Sequence, residues 1–247
     1  MTSIRISLNV KKIDGPYGGG NQFANALEQY LVLKGHNVFR SLVPKLDMIL
    51  IVSSKRHHLT TAYDMDEIAE YKILNPNTVI VHRINSIDEQ RGIDLGINAA
   101  MLQANHLADH TIFISAFLRD FFTAKGMDVS MPNSVIFNGA GEDIFHPRGR
   151  VDWSPGKKLR LVTHHWSSNY MKGFDIYERL DQLLDVEPFR ELFEFTIIGN
   201  IPLGINFQNS KVIPPIHGKE LGELLRQHHV YLTAARNEAA GMHPQDS

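Results

Sequence analysis

Cysteine is absent from the 247 residues, which excludes a disulfide framework and thiolate zinc sites. No stretch approaches the roughly 18 consecutive apolar residues that a membrane-spanning helix needs. An excess of one charge is missing too. The chain has 25 Lys+Arg against 27 Asp+Glu, a net charge of −2, so nothing electrostatic points to nucleic acid. The opening M-T-S-I-R-I-S-L-N-V has no apolar core of signal-peptide type, and cytoplasmic placement is the expectation. Peripheral membrane contact stays open, because it needs only a surface patch. G-x-G-x-x-G does not occur after the first strand, which argues against a nicotinamide oxidoreductase. Among 13 histidines, the pairs His57–His58, His164–His165 and His228–His229 lack H-E-x-x-H or other ligand spacing, so no metal is expected.

What is present is an ordinary globular composition, 43% hydrophobic and 21% charged, of a length for one or two domains. Apolar β-branched runs alternate with helical stripes. Ile4 to Val10 reads as a strand, followed by a loop ending G-P-Y-G-G-G. Asn21 is predicted to cap a helix that buries Phe23, Ala26, Leu27, Tyr30 and Leu31. Strand, glycine loop, helix is an arrangement in which backbone N–H groups approach a phosphate. Thr78 to His82 is a buried strand ending H-R-I-N, and polar residues at such strand ends point into the crevice of a doubly wound sheet. His82, Arg83 and Asn85 are the candidates there, and the sequence does not choose among them. Phe117, Phe121 and Phe122 are expected in the core.

Arg148 to Lys158 mixes Gly, Pro and charge and reads as a linker between an N-terminal domain, 1–147, and a C-terminal one, 159–247. The second domain opens on the strand Leu159 to Thr163, then H-H-W-S-S-N-Y-M-K-G-F-D and a helix carrying Ile176, Leu180, Leu183 and Leu184. Lys172 places a compact positive charge at that helix start, suited to a leaving diphosphate, and Ser167 and Asn169 add hydrogen-bonding groups. Strands at Phe195 to Ile198, closed by Gly199, and at Val212 to Ile216 follow. Last comes the strand Val230 to Leu232 and then T-A-A-R-N-E-A-A-G-M-H-P-Q-D. Glu238 and Asp246, with seven residues between them, would face nearly the same way on a helix.

The segments K-G-F-D, N-G-A-G-E-D-I-F-H-P and R-N-E-A-A-G, in that order, resemble those of retaining glycosyltransferases with the GT-B fold, of the family 4 type. The acid pair is similar to that family's E-x7-E, with Asp as the second acid. The resemblance implies an α/β chain of two Rossmann-like doubly wound domains facing one another across a groove. It implies a metal-independent hexosyltransferase that moves a sugar from a nucleotide-diphosphate sugar to an acceptor hydroxyl with retention. No further cofactor is implied. Gly19 and Gly20 would cover the donor, Gly199 would lie near the base, Glu238 would hold the sugar and Asp246 the ribose. The family's arginine near the lysine has no obvious counterpart. The chain stops inside the acid motif, so the second domain is expected to be incomplete and to need a second copy or a partner over its open edge. The alternative is a module that binds nucleotide sugar without transfer. The acceptor, whether glycan, lipid or protein, is not legible.

Overall fold

Parallel strands buried on both faces need helices on each side, and the chain supplies them in alternation. The computed structural model describes residues 2–13, 15, 18–55 and 58–239, in two units, 1–137 and 138–247. The first unit contains β1 (Arg5–Leu8), α1 (Gly18–Leu33), β2 (Asn37–Phe39), β3 (Met48–Ile51), α2 (Met65–Leu74), β4 (Val79–Ile84), α3 (Ile97–Asn105), β5 (His110–Phe113), α4 (Ala116–Ala124) and β6 (Asn133–Val135). Its six strands run parallel in the order β2-β1-β3-β4-β5-β6. The two-residue period of a strand sorts β3 cleanly. Ile49 and Ile51 pack with Ile68, Ile80 and Ala104 on one face, while Leu50 packs with Ile6, Leu8 and Ala24 on the other.

Local chemistry sets the helix starts. Asp64 accepts from the N–H groups of Asp66 (3.0 Å) and Glu67 (3.3 Å), and Glu67 accepts from the Asp64 N–H at 2.8 Å, a capping box for α2. Ser115 caps α4 by accepting from Leu118 N–H. Asn21 does not cap α1. That helix begins at Gly18, and the Asn21 amide instead reaches back to the N–H and C=O of Ile13. On α4, Phe122 is fully buried but Phe117 is half exposed, so the expected aromatic stripe is narrower than its composition implies.

The second unit contains β7 (Leu159–His165), α5 (Phe174–Leu183), the single turn α6 (Phe189–Leu192), β8 (Phe193–Gly199), β9 (Lys211–Ile213), α7 (Gly218–Arg226) and β10 (Val230–Tyr231). These strands are parallel in the order β10-β7-β8-β9. Phe195 and Ile197 pack with Phe174, Tyr177 and Leu184 on one face; Ile198 packs with Val162, Leu221 and Leu225 on the other. The inward face of α5 is thus Phe174, Tyr177, Asp181 and Leu184, whereas Ile176 is exposed. Asp181 is buried because it accepts from the N–H groups of Gln208, Asn209 and Ser210 at 2.7–2.9 Å. Residues 138–151 belong to this unit: Phe145 joins its core, and Arg226 donates to the Ile144 carbonyl at 2.9 Å. Gly222 makes room for that segment, since a Cβ there would stand 2.6 Å from the Ile144 oxygen. Among the described residues, no helix is long and apolar enough to cross a membrane.

His82 on β4 is fully buried, with Nε2 2.8 Å from Ser54 Oγ and Nδ1 3.4 Å from Asn105 Nδ2. Burial holds its pKa down at about 3. Between that value and the ordinary 6.5, the unfolded chain binds a proton that the folded chain refuses, so stability falls as pH drops through this window. At pH 5 the loss attributable to His82 is expected to be about 2 kcal/mol relative to pH 7. Urea unfolding of wild type and His82→Gln at both pH values measures it; an equal pH dependence in the two proteins would contradict the assignment.

Candidate functional site

In an open parallel sheet, ligands bind beyond the carboxyl ends of the strands where the strand order reverses. In the second unit this point lies between β7 and β10, because the chain proceeds from β7 outward through β8 and β9 and then returns to β10. The loops leaving β7 and β10 therefore emerge side by side. The β7 loop runs through Trp166, Ser167 and Asn169 into a 3-10 turn, Tyr170–Lys172, and on to α5. The β10 exit carries Ala234, Arg236, Asn237 and Glu238.

Glycine lets these two loops meet. Gly173 has φ +89°, and a Cβ on it would overlap the backbone and Cβ of Ala234. The glycine of K-G-F-D is required both by its left-handed backbone and by this approach. Tyr177, buried beneath, accepts from Ala234 N–H at 3.0 Å and bonds His165 Nε2 at 3.0 Å, joining both loops to α5. Burial raises the Tyr177 pKa, with hydrogen bonds opposing the shift, so the hydroxyl remains protonated at neutral pH.

Above this floor Lys172 Nζ and Glu238 Oε2 form an ion pair at 2.7 Å, with about a fifth of each side chain exposed (20% and 21%). The two residues are far apart in sequence, and the topology brings them together. Beside them Arg236 donates its N–H to the Met171 carbonyl at 2.8 Å and pairs through its guanidinium with Asp175. Ser167 and Asn169 turn partly inward: Ser167 Oγ accepts from Asn169 N–H at 3.2 Å, and Asn169 Oδ1 caps the turn by accepting from Met171 N–H at 2.8 Å. Gly199, at the end of β8, has φ +133° and lies against the His165 backbone, where any Cβ would collide. Its visible role is to let β7 and β8 end together. Asp246 lies outside the described residues.

The first unit has its own reversal, between β1 and β3. Asn9, fully buried, joins the two strand exits: its Oδ1 accepts from Val52 N–H at 2.7 Å and its Nδ2 donates to the Ser53 carbonyl at 2.6 Å. Arg40 binds the Val10 carbonyl at 3.0 Å and Glu28 of α1 at 2.6 Å, fixing the helix against the loop. Gly19 is exposed and Gly20 half-buried in the first turn of α1, which has no acidic residue. Asn85 lies next to Gly20, its Nδ2 3.7 Å from where a Cβ would stand.

The three candidates at the end of β4 separate here. His82 is closed in by Ser54 and Asn105 and does not reach solvent, so the structure does not support direct contact between His82 and a sugar. Arg83 is nearly buried, its guanidinium carbon 3.8 Å from the centre of the Phe23 ring, and burial lowers its pKa to about 10. Asn85 is the most accessible of the three, half-buried beside the α1 start. Asn9 and Arg40 belong to no motif of the sequence, and Arg236 carries no assigned role in R-N-E-A-A-G; an Asn at the end of an apolar strand is the one local signal, for the first. Among the described residues no group of three His, Cys, Asp or Glu could hold a metal ion.

Gly173→Ala is expected to cost at least about 2 kcal/mol, combining left-handed backbone strain with overlap against the Ala234 backbone. Urea unfolding reads the loss, and a change below about 0.5 kcal/mol would contradict the packing described.

No protein-family model and no curated protein matches the sequence. Solved structures do match. HepE from Anabaena, in complex with UDP and glucose, shares 13% identity at a TM-score of 0.59, over 90% of this chain and 71% of that one. The lipopolysaccharide outer core galactosyltransferase WaaB, in its apo form, shares 10% at 0.58, over 94% and 74%. The pneumococcal O-GlcNAc transferase GtfA, in complex with UDP and GlcNAc, shares 14% at 0.56, over 92% and 42%. At such identities the likeness establishes the fold: an α/β chain of two Rossmann-like parallel-sheet units, GT-B-like and similar to those glycosyltransferases.

Proposed function

We propose that the chain is a glycosyltransferase of the retaining, family 4 type, moving a sugar from a nucleotide-diphosphate sugar to an acceptor hydroxyl. The observation that carries this reading is the 2.7 Å pairing of Lys172 with Glu238 where strand order reverses in the second sheet. An ammonium beside a helix start suits a diphosphate, and a carboxylate beside it suits a sugar hydroxyl.

In the reaction the bond between the sugar's anomeric carbon and the diphosphate oxygen breaks, and its electron pair leaves with the diphosphate. Lys172 and the first N–H groups of α5 stabilise that charge, so no metal is required by the step. The acceptor oxygen bonds to the anomeric carbon on the same face, and its proton passes to the departing phosphate oxygen. Glu238 holds a sugar hydroxyl and orients the ring; when the diphosphate takes up Lys172, the carboxylate is released for that purpose. Asp246 is assigned to the ribose by the resemblance alone. In the first unit, Gly19, Gly20, Arg83 and Asn85 are assigned to substrate by the resemblance alone. The neighbouring folds that hold UDP favour a uridine donor.

Removing a single preorganised group at a developing anion typically costs on the order of 10²–10³ in rate. Lys172→Ala and Glu238→Ala are each expected to lower turnover at least that much in a transfer assay across UDP- and GDP-sugars. Near-normal turnover in either variant would contradict the proposal. Binding by calorimetry without any turnover in wild type would select instead a module that holds nucleotide sugar, and the lack of an arginine just before Lys172, where the family has one, is the feature that favours that second reading.

A further inference from the structure

The chain turns sharply just before Glu238, which pairs with Lys172. Asn237 has φ +54°, a left-handed conformation that Asn tolerates better than most residues. On the other side of that corner Arg236 is fixed twice, by its N–H on the Met171 carbonyl and by its guanidinium on Asp175. We propose that Arg236, paired with Asp175, is a positioning residue that sets Glu238 against Lys172. The inference rests on the proposed reading only for what Glu238 does with a sugar.

The charges are arranged in crossed order. Lys172 and Asp175 lie on one segment, Glu238 and Arg236 on the other, and each pairs with its opposite: 172 with 238, 175 with 236. A slip of the corner in one direction would bring Arg236 to Lys172, and a slip in the other would bring Glu238 to Asp175, a like-charge contact either way. The Arg236 side chain is 47% exposed and that of Asp175 is 32% exposed, so the pair adds little to global stability. Its effect is on register, because it penalises the alternative alignment as well as favouring the observed one. The floor beneath does not depend on it: Ala234 remains bonded to Tyr177 and packed on Gly173. Arg236 therefore acts through Glu238.

The test reads Lys172 directly, without ligand. An ammonium held on a carboxylate at 2.7 Å is less open to an acylating reagent than one released from it. In the full chain, Glu238→Gln is expected to raise the acylation rate at Lys172, followed by peptide mass spectrometry, by about two- to fivefold, the range an ion pair of this exposure supports. Arg236→Met and Asp175→Asn are expected to raise it by a similar factor, the double variant Arg236→Met/Glu238→Gln no further, and Arg236→Lys to restore the slow rate in part. Urea unfolding confirms that each variant is folded, and Asp175→Asn serves if Arg236→Met is not. In calorimetry, Arg236→Met is expected to leave UDP affinity within about twofold while lowering the UDP-glucose to UDP affinity ratio as far as Glu238→Gln does. A wild-type Lys172 rate in folded Arg236→Met and Asp175→Asn overturns the positioning role, as does a wild-type rate in Glu238→Gln. If wild type binds neither UDP nor UDP-glucose, the transfer reading fails while the lysine rates still decide the role of Arg236.

Discussion

The approach of Gly173 to Ala234 is the constraint from which the second unit's site follows. Parallel pairing sends β7 and β10 out at the same edge of the sheet, but adjacency alone would leave their loops a side chain apart. A residue without a Cβ, in a left-handed conformation, lets the two backbones touch. Once they touch, Tyr177 can bond Ala234 from below, and Lys172 and Glu238 can pair above. The ion pair is therefore a consequence of backbone packing. Its energy is modest; its position comes from the floor.

Polar groups in this molecule divide by depth. Asn9, His82 and Arg83 are deep, and each is spent on structure: strand exits tied, a neutral ring bonded to Ser54, a guanidinium laid on Phe23. Burial lowers the pKa of His82 and of Arg83 because it disfavours the charged forms. Lys172 and Glu238 stand at the rim, partly open to solvent, with the Arg236–Asp175 pair beside them. That difference in depth is the ground on which we propose the chemistry at the rim of the second sheet and a structural role for the β4 histidine.

Much of the fold was legible in the sequence because its cues are local. Strand–helix alternation announces parallel sheets, and the K-G-F-D and R-N-E segments place a lysine and an acid at loop ends that the topology then joins. What was not legible depends on phase and on neighbours. A strand covered on both faces shows no alternation, so the sequence of β4 does not reveal that His82 faces inward. On α5 the stripe of Ile176 and Leu183 competes with that of Phe174, Tyr177 and Leu184, and the buried choice is fixed by Asp181 meeting the 208–210 backbone. Asn21 looks like a helix cap until the preceding loop offers Ile13 to its amide. Arg236 gives no local signal at all, because its partner Asp175 lies in the first turn of α5, 61 residues away.

A crystal structure of the chain soaked with UDP is the most direct measurement. The diphosphate oxygens should lie within hydrogen-bond distance of Lys172 Nζ and the first turn of α5, with the Glu238 carboxylate drawn off the lysine. A diphosphate bound away from the β7–β10 edge, with the Lys172–Glu238 pair unbroken, would contradict the central claim that this edge of the second sheet is the donor site.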